Sequence, residues 1–134
     1  MAQNDYEVKV SYSWKNISVR EKIALKNFNT CESLDELLDG ENNVEIDVDN
    51  YIVCDVHNIK AEGDKKDYKK YVIVDKSGTK YATGSPTFFR ELSDIVSELE
   101  DSGEEGATDN IVIRAYKRDS KNYKGKQFIT CSLV

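Results

Sequence analysis

Residues 84–100, GSPTFFRELSDIVSELE, contain the clearest helix pattern in this chain. Ser85 suits the N-cap position because its hydroxyl can accept a hydrogen bond from a free backbone N–H, and Pro86 fits the first helical position. The residues that recur at helical spacing are apolar: Phe88, Phe89, Leu92, Ile95, Val96 and Leu99. The pattern predicts one amphipathic helix, and its place among the strands decides the fold.

Strand patterns lie on both sides of this helix. The predicted strands are residues 44–56, a hairpin over residues 71–83 that turns at Gly78, residues 111–118 and residues 126–134. The first of these is expected to bend near Asp49 and Asn50. Its apolar residues are expected on one side: Val44, Ile46, Val48, Ile52, Cys54 and Val56.

The segment SVREKIALKNF, residues 18–28, is interpreted as the first barrel strand. In an OB barrel the first strand pairs with the fourth, so this segment is expected to lie beside residues 111–118, with two basic faces side by side. Ile23 and Leu25 point to one side of it. Its other side carries three basic residues and one aromatic residue: Arg20, Lys22, Lys26 and Phe28. A helix is the alternative, because Glu, Lys, Ala and Leu are good helix formers.

The segment YEVKVSYSW, residues 6–14, alternates strictly and predicts an extra N-terminal strand. The residues expected on its apolar side are Tyr6, Val8, Val10, Tyr12 and Trp14. Together these patterns predict a mainly β fold in a single domain, residues 1–134. The specific expectation is an OB-fold-like five-stranded barrel with one α-helix between strands 3 and 4.

The charge distribution along the chain is uneven. There are 25 Asp and Glu residues against 19 Lys and Arg residues, and this net acidity opposes contact with nucleic acid over most of the surface. From Ile111 to the end, Asp119 is the only acid. The same segment holds six basic residues: Arg114, Lys117, Arg118, Lys121, Lys124 and Lys126. The sequence therefore predicts one basic region on an otherwise acidic protein.

Composition argues against the common catalytic and metal-binding classes. Cys31, Cys54 and Cys131 have no C-x-x-C spacing and the chain has one histidine, so free thiols are expected rather than a zinc site or disulfides. Because a serine elbow and a phosphate-binding loop are also lacking, we predict no enzymatic activity, catalytic residue, metal or cofactor. The apolar runs are short and no secretion signal is visible, which predicts a cytoplasmic protein without a membrane partner.

The basic region combines cations with aromatic rings. Arg114, Tyr116 and Arg118 share one side of the predicted strand at residues 111–118. Proteins that bind single strands without sequence preference use cations to follow phosphates and aromatic faces to stack bases. The predicted nucleic-acid interface comprises Arg20, Lys22, Lys26, Phe28, Arg114, Tyr116, Arg118, Lys121, Tyr123, Lys124 and Lys126, with Tyr51 and Tyr68 as weaker stacking candidates.

Three stretches in the second half of the chain carry a resemblance: the hairpin VIVDKSGTKYAT, the helix SPTFFRELSDIVSEL and the ending SKNYKGKQFITCSLV. They resemble the single-stranded DNA-binding proteins of small tailed phages that replicate linear genomes by protein priming, and related prophage proteins. The resemblance implies a small, non-enzymatic, OB-like protein. It also implies that this protein coats DNA strands displaced during replication, with replication proteins as further partners.

Two acidic regions support an alternative function. Residues 27–59 contain nine acidic residues and no basic one, and residues 91–110 contain eight acidic residues and no basic one. Such runs fit an acidic protein-binding module, for example an inhibitor that imitates nucleic-acid phosphates, and they also fit two solvated faces that keep the protein soluble. A small enzyme that uses dispersed carboxylates is a third interpretation.

Overall fold

The computed structural model describes residues 6–27, 30–40, 42–58 and 67–134. These residues form, in chain order, β1 (Tyr6–Ser13), α1 (Val19–Leu25), β2 (Glu32–Ser33), α2 (Leu34–Leu37), β3 (Val44–Asn58), β4 (Asp67–Asp75), β5 (Lys80–Thr83), α3 (Pro86–Asp101), β6 (Ile111–Asp119) and β7 (Gln127–Leu133). The protein is mainly β, as predicted. The hairpin, the long helix and the last two strands lie where the sequence patterns predict them.

The described strands form one curled, mixed sheet around the long strand β3. The order across the sheet is β2-β5-β4-β3-β6-β7, and β1 also pairs with β3. β3 pairs with β6 over Val44–Val48 and with β1 over Ile52–Asn58. The sheet therefore has more strands than the predicted five-stranded barrel, and the predicted first barrel strand is not among them.

Apolar side chains pack on both faces of this sheet. On the face that we call inner, α2 and α3 cover the larger core, to which the strands contribute Ile46, Val48, Tyr51, Ile73, Ile111, Ile113, Ala115, Ile129 and Cys131. On the opposite, outer face, a smaller cluster joins α1 to the sheet. Its buried members are Leu25, Ile52, Cys54, Val72 and Ala82.

The longest described helix, α3, begins as predicted. The Ser85 hydroxyl oxygen accepts a hydrogen bond from the Phe88 N–H at 3.2 Å, and Pro86 is the first helical residue. The same hydroxyl donates to the Ile129 carbonyl at 3.0 Å, which ties the start of the helix to β7. Phe88, Leu92 and Val96 are buried. None of the described helices is long and apolar enough to cross a membrane.

The segment predicted as the first barrel strand is helix α1, so that prediction is wrong and the helical alternative is correct. Ser18 and Glu21 form a capping box, in which each side chain accepts a hydrogen bond from the backbone N–H of the other residue. Only Leu25 of the helix is buried, while Val19 and Ile23 are 71% and 63% exposed. The helix therefore docks on the outer face through one main anchor.

A β-bulge in β3 divides its apolar residues between the two faces. The pairing of β3 with β4 shifts between Val48 and Asn50, at the position where the sequence predicts a bend. Because the extra residue reverses the alternation beyond it, Val48 packs in the inner core and Ile52 in the outer cluster. The prediction that all the even-numbered apolar residues share one side is therefore wrong.

A second bulge has the same effect in β1. Its pairing with β3 shifts between Val10 and Tyr12. Val8 and Val10 pack against the outer cluster, whereas the Tyr12 ring lies 5.9 Å from the ring of Tyr51 in the inner core. The extra strand is confirmed, but its residues do not keep one side throughout.

The three cysteines differ in accessibility. Cys31 is half-buried, and Cys54 and Cys131 are buried. Burial raises the pKa of Cys54 to about 11 and that of Cys131 to about 12, because a thiolate is poorly solvated inside the protein. Burial also raises the pKa of Cys31, although Lys80 and Lys70 oppose this effect.

We expect alkylation of the folded protein at pH 8 to modify Cys31 first. At that pH the thiolate population of Cys54 is about 100-fold lower than that of an ordinary thiol, and access to it also requires local opening. Raising the pH towards the pKa values of Cys54 and Cys131 increases their thiolate fractions, so their alkylation should become faster. Peptide mass spectrometry of a time course measures the order, and all three thiols are expected to react in denaturant. Faster modification of Cys131 than of Cys31 would contradict the burial pattern.

Candidate nucleic-acid interface

The outer side of β6 carries the predicted cations and ring. Ile111, Ile113 and Ala115 are buried on the inner face, so Arg114 and Tyr116 lie on the outer side of the strand. Arg114 and Arg118 are exposed, and Tyr116 is half-buried. The sequence-based assignment of the two sides of this strand is therefore confirmed.

Strand β7 adds an aromatic residue that the sequence reasoning missed. In the antiparallel register Arg118 lies opposite Phe128 and Tyr116 opposite Thr130, and residues directly opposite each other share a face. Phe128 is half-buried and, by this register, lies on the same face as Tyr116. The alternation of Phe128 with Ile129 and Cys131 was visible in the sequence, but only the strand register places Phe128 opposite Arg118.

Hydrogen bonds within the loop at residues 120–126, which joins β6 to β7, stabilise its conformation. The Ser120 N–H donates to the Lys126 carbonyl at 2.8 Å, and the Lys126 N–H donates to the Tyr123 carbonyl at 3.1 Å. The Ser120 hydroxyl accepts from the Tyr123 N–H at 3.2 Å. Gly125 has a φ of 84°, a conformation that other residues rarely adopt.

This loop presents an aromatic ring beside a cation. The side chain of Tyr123 is 65% exposed, and Lys126 Nζ lies 5.6 Å from the centre of its ring. Lys121 and Lys124 are exposed on the same loop. An exposed ring with three neighbouring ammonium groups offers a stacking face and phosphate-binding charge within a few residues.

The strand that pairs with β6 differs from the one predicted. It is the N-terminal part of β3, in which Glu45 lies opposite Arg114 and Asp47 opposite Val112. Arg114 Nη2 lies 3.5 Å from Glu45 Oε1. The prediction of two basic strands side by side is therefore wrong, because the neighbour of β6 carries acids that partly neutralise Arg114.

The cations predicted for the first barrel strand lie elsewhere. Arg20, Lys22 and Lys26 are exposed on or directly after α1, which packs over β3, β4 and β5 rather than beside β6. Phe28 lies outside the described residues. Strand pairing therefore does not bring these residues to the face of Arg114 and Tyr116.

The two weaker stacking candidates have different positions. Tyr51 is 3% exposed and stacks on Trp14 with ring centres 5.6 Å apart, so it is a core residue and that prediction is wrong. Its burial, with a hydrogen bond to Tyr12, raises the pKa of its hydroxyl. Tyr68 is exposed on β4, away from β6 and β7 in the sheet order.

A depression of about 500 Å³ lies beside the basic strand. Arg114, Tyr116 and Lys117 line one part of it, and Asn42 and Asn43, which precede β3, line another. The two amides provide donors and acceptors that sequence reasoning missed, because nothing in the sequence brings residues 42–43 to β6. Within the described part of the chain, no group of His, Cys, Asp and Glu side chains could hold a metal ion.

Comparison of the chain with models of known protein families, with curated protein sequences and with solved structures gave no match.

Proposed function

We propose that this protein binds single-stranded DNA without sequence preference, through the outer face of β6 and β7 and the loop at residues 120–126. It acts by coating the strand and not as an enzyme, and it needs no cofactor. In the replication of phage or prophage DNA, which the sequence resemblance implies, such a protein would cover displaced strands beside the replication proteins.

The observation that carries the proposal is the Tyr123–Lys126 pair. Tyr123 is 65% exposed, so the face of its ring is accessible to a ligand. Here hydrogen bonds and Gly125 hold the loop so that the ring stays accessible, with Lys126 Nζ 5.6 Å from its centre. Every base has a flat face that can stack on such a ring, and every nucleotide brings a phosphate for a cation.

The neighbouring strand surface extends this contact. Arg118 precedes the loop and lies opposite Phe128, and Tyr116 is the next residue away from the loop on the same side of β6. A strand that stacks on Tyr123 can therefore continue over a second set of cations and rings. Arg114 contributes less, because Glu45 lies 3.5 Å away.

The chain order of β3, β4, β5, α3, β6 and β7 supports an OB-like assignment. An OB-fold has five barrel strands, and here one helix separates the third strand of this series from the fourth. In this assignment β3 is the first barrel strand, and residues 120–126 are the loop between the last two strands. That loop is one of those that flank the ligand groove of OB-folds.

The test is a fluorescence titration of the wild-type protein, Tyr123→Ala and Tyr123→Phe with labelled oligo-dT. We expect wild-type binding that weakens with salt, and a loss of about 1–3 kcal/mol for Tyr123→Ala, because one stacked base is lost. Tyr123→Phe keeps the ring and is the matched control, so it should bind nearly as tightly as the wild type. Since the side chain is exposed, neither variant should lower the melting temperature appreciably.

Absence of oligo-dT binding by the wild-type protein at low salt would refute the proposed function and favour the acidic protein-binding module. Normal binding by Tyr123→Ala would instead refute the role of the ring alone. Equal losses in the alanine and phenylalanine variants would assign the effect to the hydroxyl rather than to stacking.

A further inference from the structure

Strand β1 forms an edge of the sheet. It pairs with β3 over residues 6–13, and no described strand pairs with its other side. Eight residues of extended backbone therefore present hydrogen-bonding groups along this edge. An unpaired edge is a template for another strand unless its side chains prevent pairing.

The inner side of the sheet next to this edge carries two rows of charged residues. In one row Lys9 lies opposite Asp55, which lies opposite Lys69. Lys69 Nζ is 2.7 Å from Asp55 Oδ1, and this hydrogen bond raises the pKa of Lys69. The sign of charge alternates along this row, and the row ends with Lys9 at the open edge.

The second row has an acidic residue at each end and a histidine between them. Glu7 lies opposite His57, which lies opposite Asp67, and His57 Nδ1 is 2.5 Å from Asp67 Oδ1. This row ends with Glu7 at the open edge. Glu7 and Lys9 therefore lie two residues apart on the same side of β1. Among the described strands, none lies beyond β1 to place a residue opposite either of them on the open side.

This spacing makes β1 complementary to itself. When two antiparallel copies of β1 are centred on Val8, Glu7 of each copy lies opposite Lys9 of the other, and opposite charges facing each other across strands are favourable. Centring on Glu7 or on Lys9 would instead place like charges together. The charge complementarity therefore selects one register.

The apolar side of β1 fits the same register. Val8 and Val10 are half-buried against the outer cluster. In a pairing centred on Val8, the two Val8 side chains become neighbours and cover each other at the open edge. Cross-strand pairs of β-branched residues stabilise antiparallel sheets.

We propose that β1 pairs antiparallel with β1 of a second copy of this chain, in the register that places Val8 opposite Val8 and Glu7 opposite Lys9. The two sheets then become continuous across a two-fold axis, and Lys9 at the end of one row faces Glu7 at the end of the other row in the second copy. The interface lies at β1 and not at the loop of residues 120–126, so both copies can bind DNA. This inference does not depend on the proposed function.

The test measures molar mass by sedimentation equilibrium over a concentration series. The wild-type protein is expected to show a concentration-dependent monomer–dimer equilibrium. Glu7→Lys and Lys9→Glu should each weaken the dimer at least about tenfold, because two favourable pairs become two repulsive ones. An equimolar mixture of the two variants should regain the dimer, since the two lysines on β1 of one variant then face the two glutamates on β1 of the other.

Recovery in the mixture also shows that both variants are folded, because an unfolded β1 would not pair. Glu98→Lys and Arg90→Glu make the same charge changes at exposed positions on α3, away from β1 and from the proposed DNA interface, and should leave the dimer unchanged. A wild-type protein that stays monomeric throughout the series would overturn the proposal, and Lys9 would then act as a charge that protects the edge. Dimers of unchanged affinity in both single variants would also overturn it.

Discussion

The triple variant Lys121→Gln, Lys124→Gln, Lys126→Gln is expected to lose most of the electrostatic part of DNA binding. Each phosphate neutralised on a single strand contributes about 0.7 to the slope of log K against log salt, so three cations contribute up to about 2.1. At about 0.1 M salt this corresponds to roughly 100-fold weaker binding, relative to a 1 M reference. Titration with oligo-dT at several salt concentrations measures both quantities.

The helix α1 offers a matched control. Arg20→Gln, Lys22→Gln, Lys26→Gln removes the same amount of charge from exposed positions. Because α1 packs over β3, β4 and β5, we expect this variant to keep the wild-type slope and to bind nearly as tightly. Equal losses of slope in the two triple variants would show that net charge alone governs binding, or that α1 belongs to the interface. Melting curves of both variants exclude unfolding as the cause.

Phe88→Ala is expected to be the most destabilising single substitution of α3. Phe88 is fully buried and has the largest volume among the fully buried side chains of the described residues. Replacing such a phenylalanine by alanine costs about 3–5 kcal/mol, from lost transfer energy and from the cavity that remains. That is a large part of the roughly 5–15 kcal/mol that typically separates folded from unfolded domains. Urea denaturation followed by circular dichroism measures the loss.

Ile23→Ala is the control for this substitution. It also shortens an apolar side chain, but Ile23 is 63% exposed on α1, so we expect a change in the free energy of unfolding of less than about 0.5 kcal/mol. If Phe88→Ala also lost less than about 1 kcal/mol, α3 would not cover the inner core as described.

Local sequence patterns were sufficient to predict the helix and strands whose signals lie within their own residues. α3 has an N-cap, a proline at its first position and an apolar stripe, and the hairpin has a glycine at its turn, where Gly78 adopts a φ of 93°. In β6 the alternation of apolar and charged residues correctly separated the inner from the outer side. Each of these signals lies within a few neighbouring residues.

Helix α1 was also within reach of the sequence. Ser18 and Glu21 have the spacing of a capping box, and this signal outweighs the alternation of Ile23 and Leu25. An alternation over only a few residues is a weak indication of a strand, because helical spacing can produce it by chance. The incorrect strand prediction for residues 18–28 in turn led to the incorrect prediction that Arg20, Lys22 and Lys26 lie beside β6.

Sequence patterns alone indicated the mainly β character, the positions of α3, the hairpin, β6 and β7, and the basic, aromatic side of β6. The pairing of the acidic N-terminal part of β3 with β6 became visible only in the folded chain, as did the presence of Phe128, Asn42 and Asn43 on the same surface. The bulges at Asp49 and Ser11, which reverse the alternation of β3 and β1, were also not apparent from the sequence. Local propensity depends on near neighbours, whereas strand partners, register and bulges depend on how distant segments bury their apolar residues together.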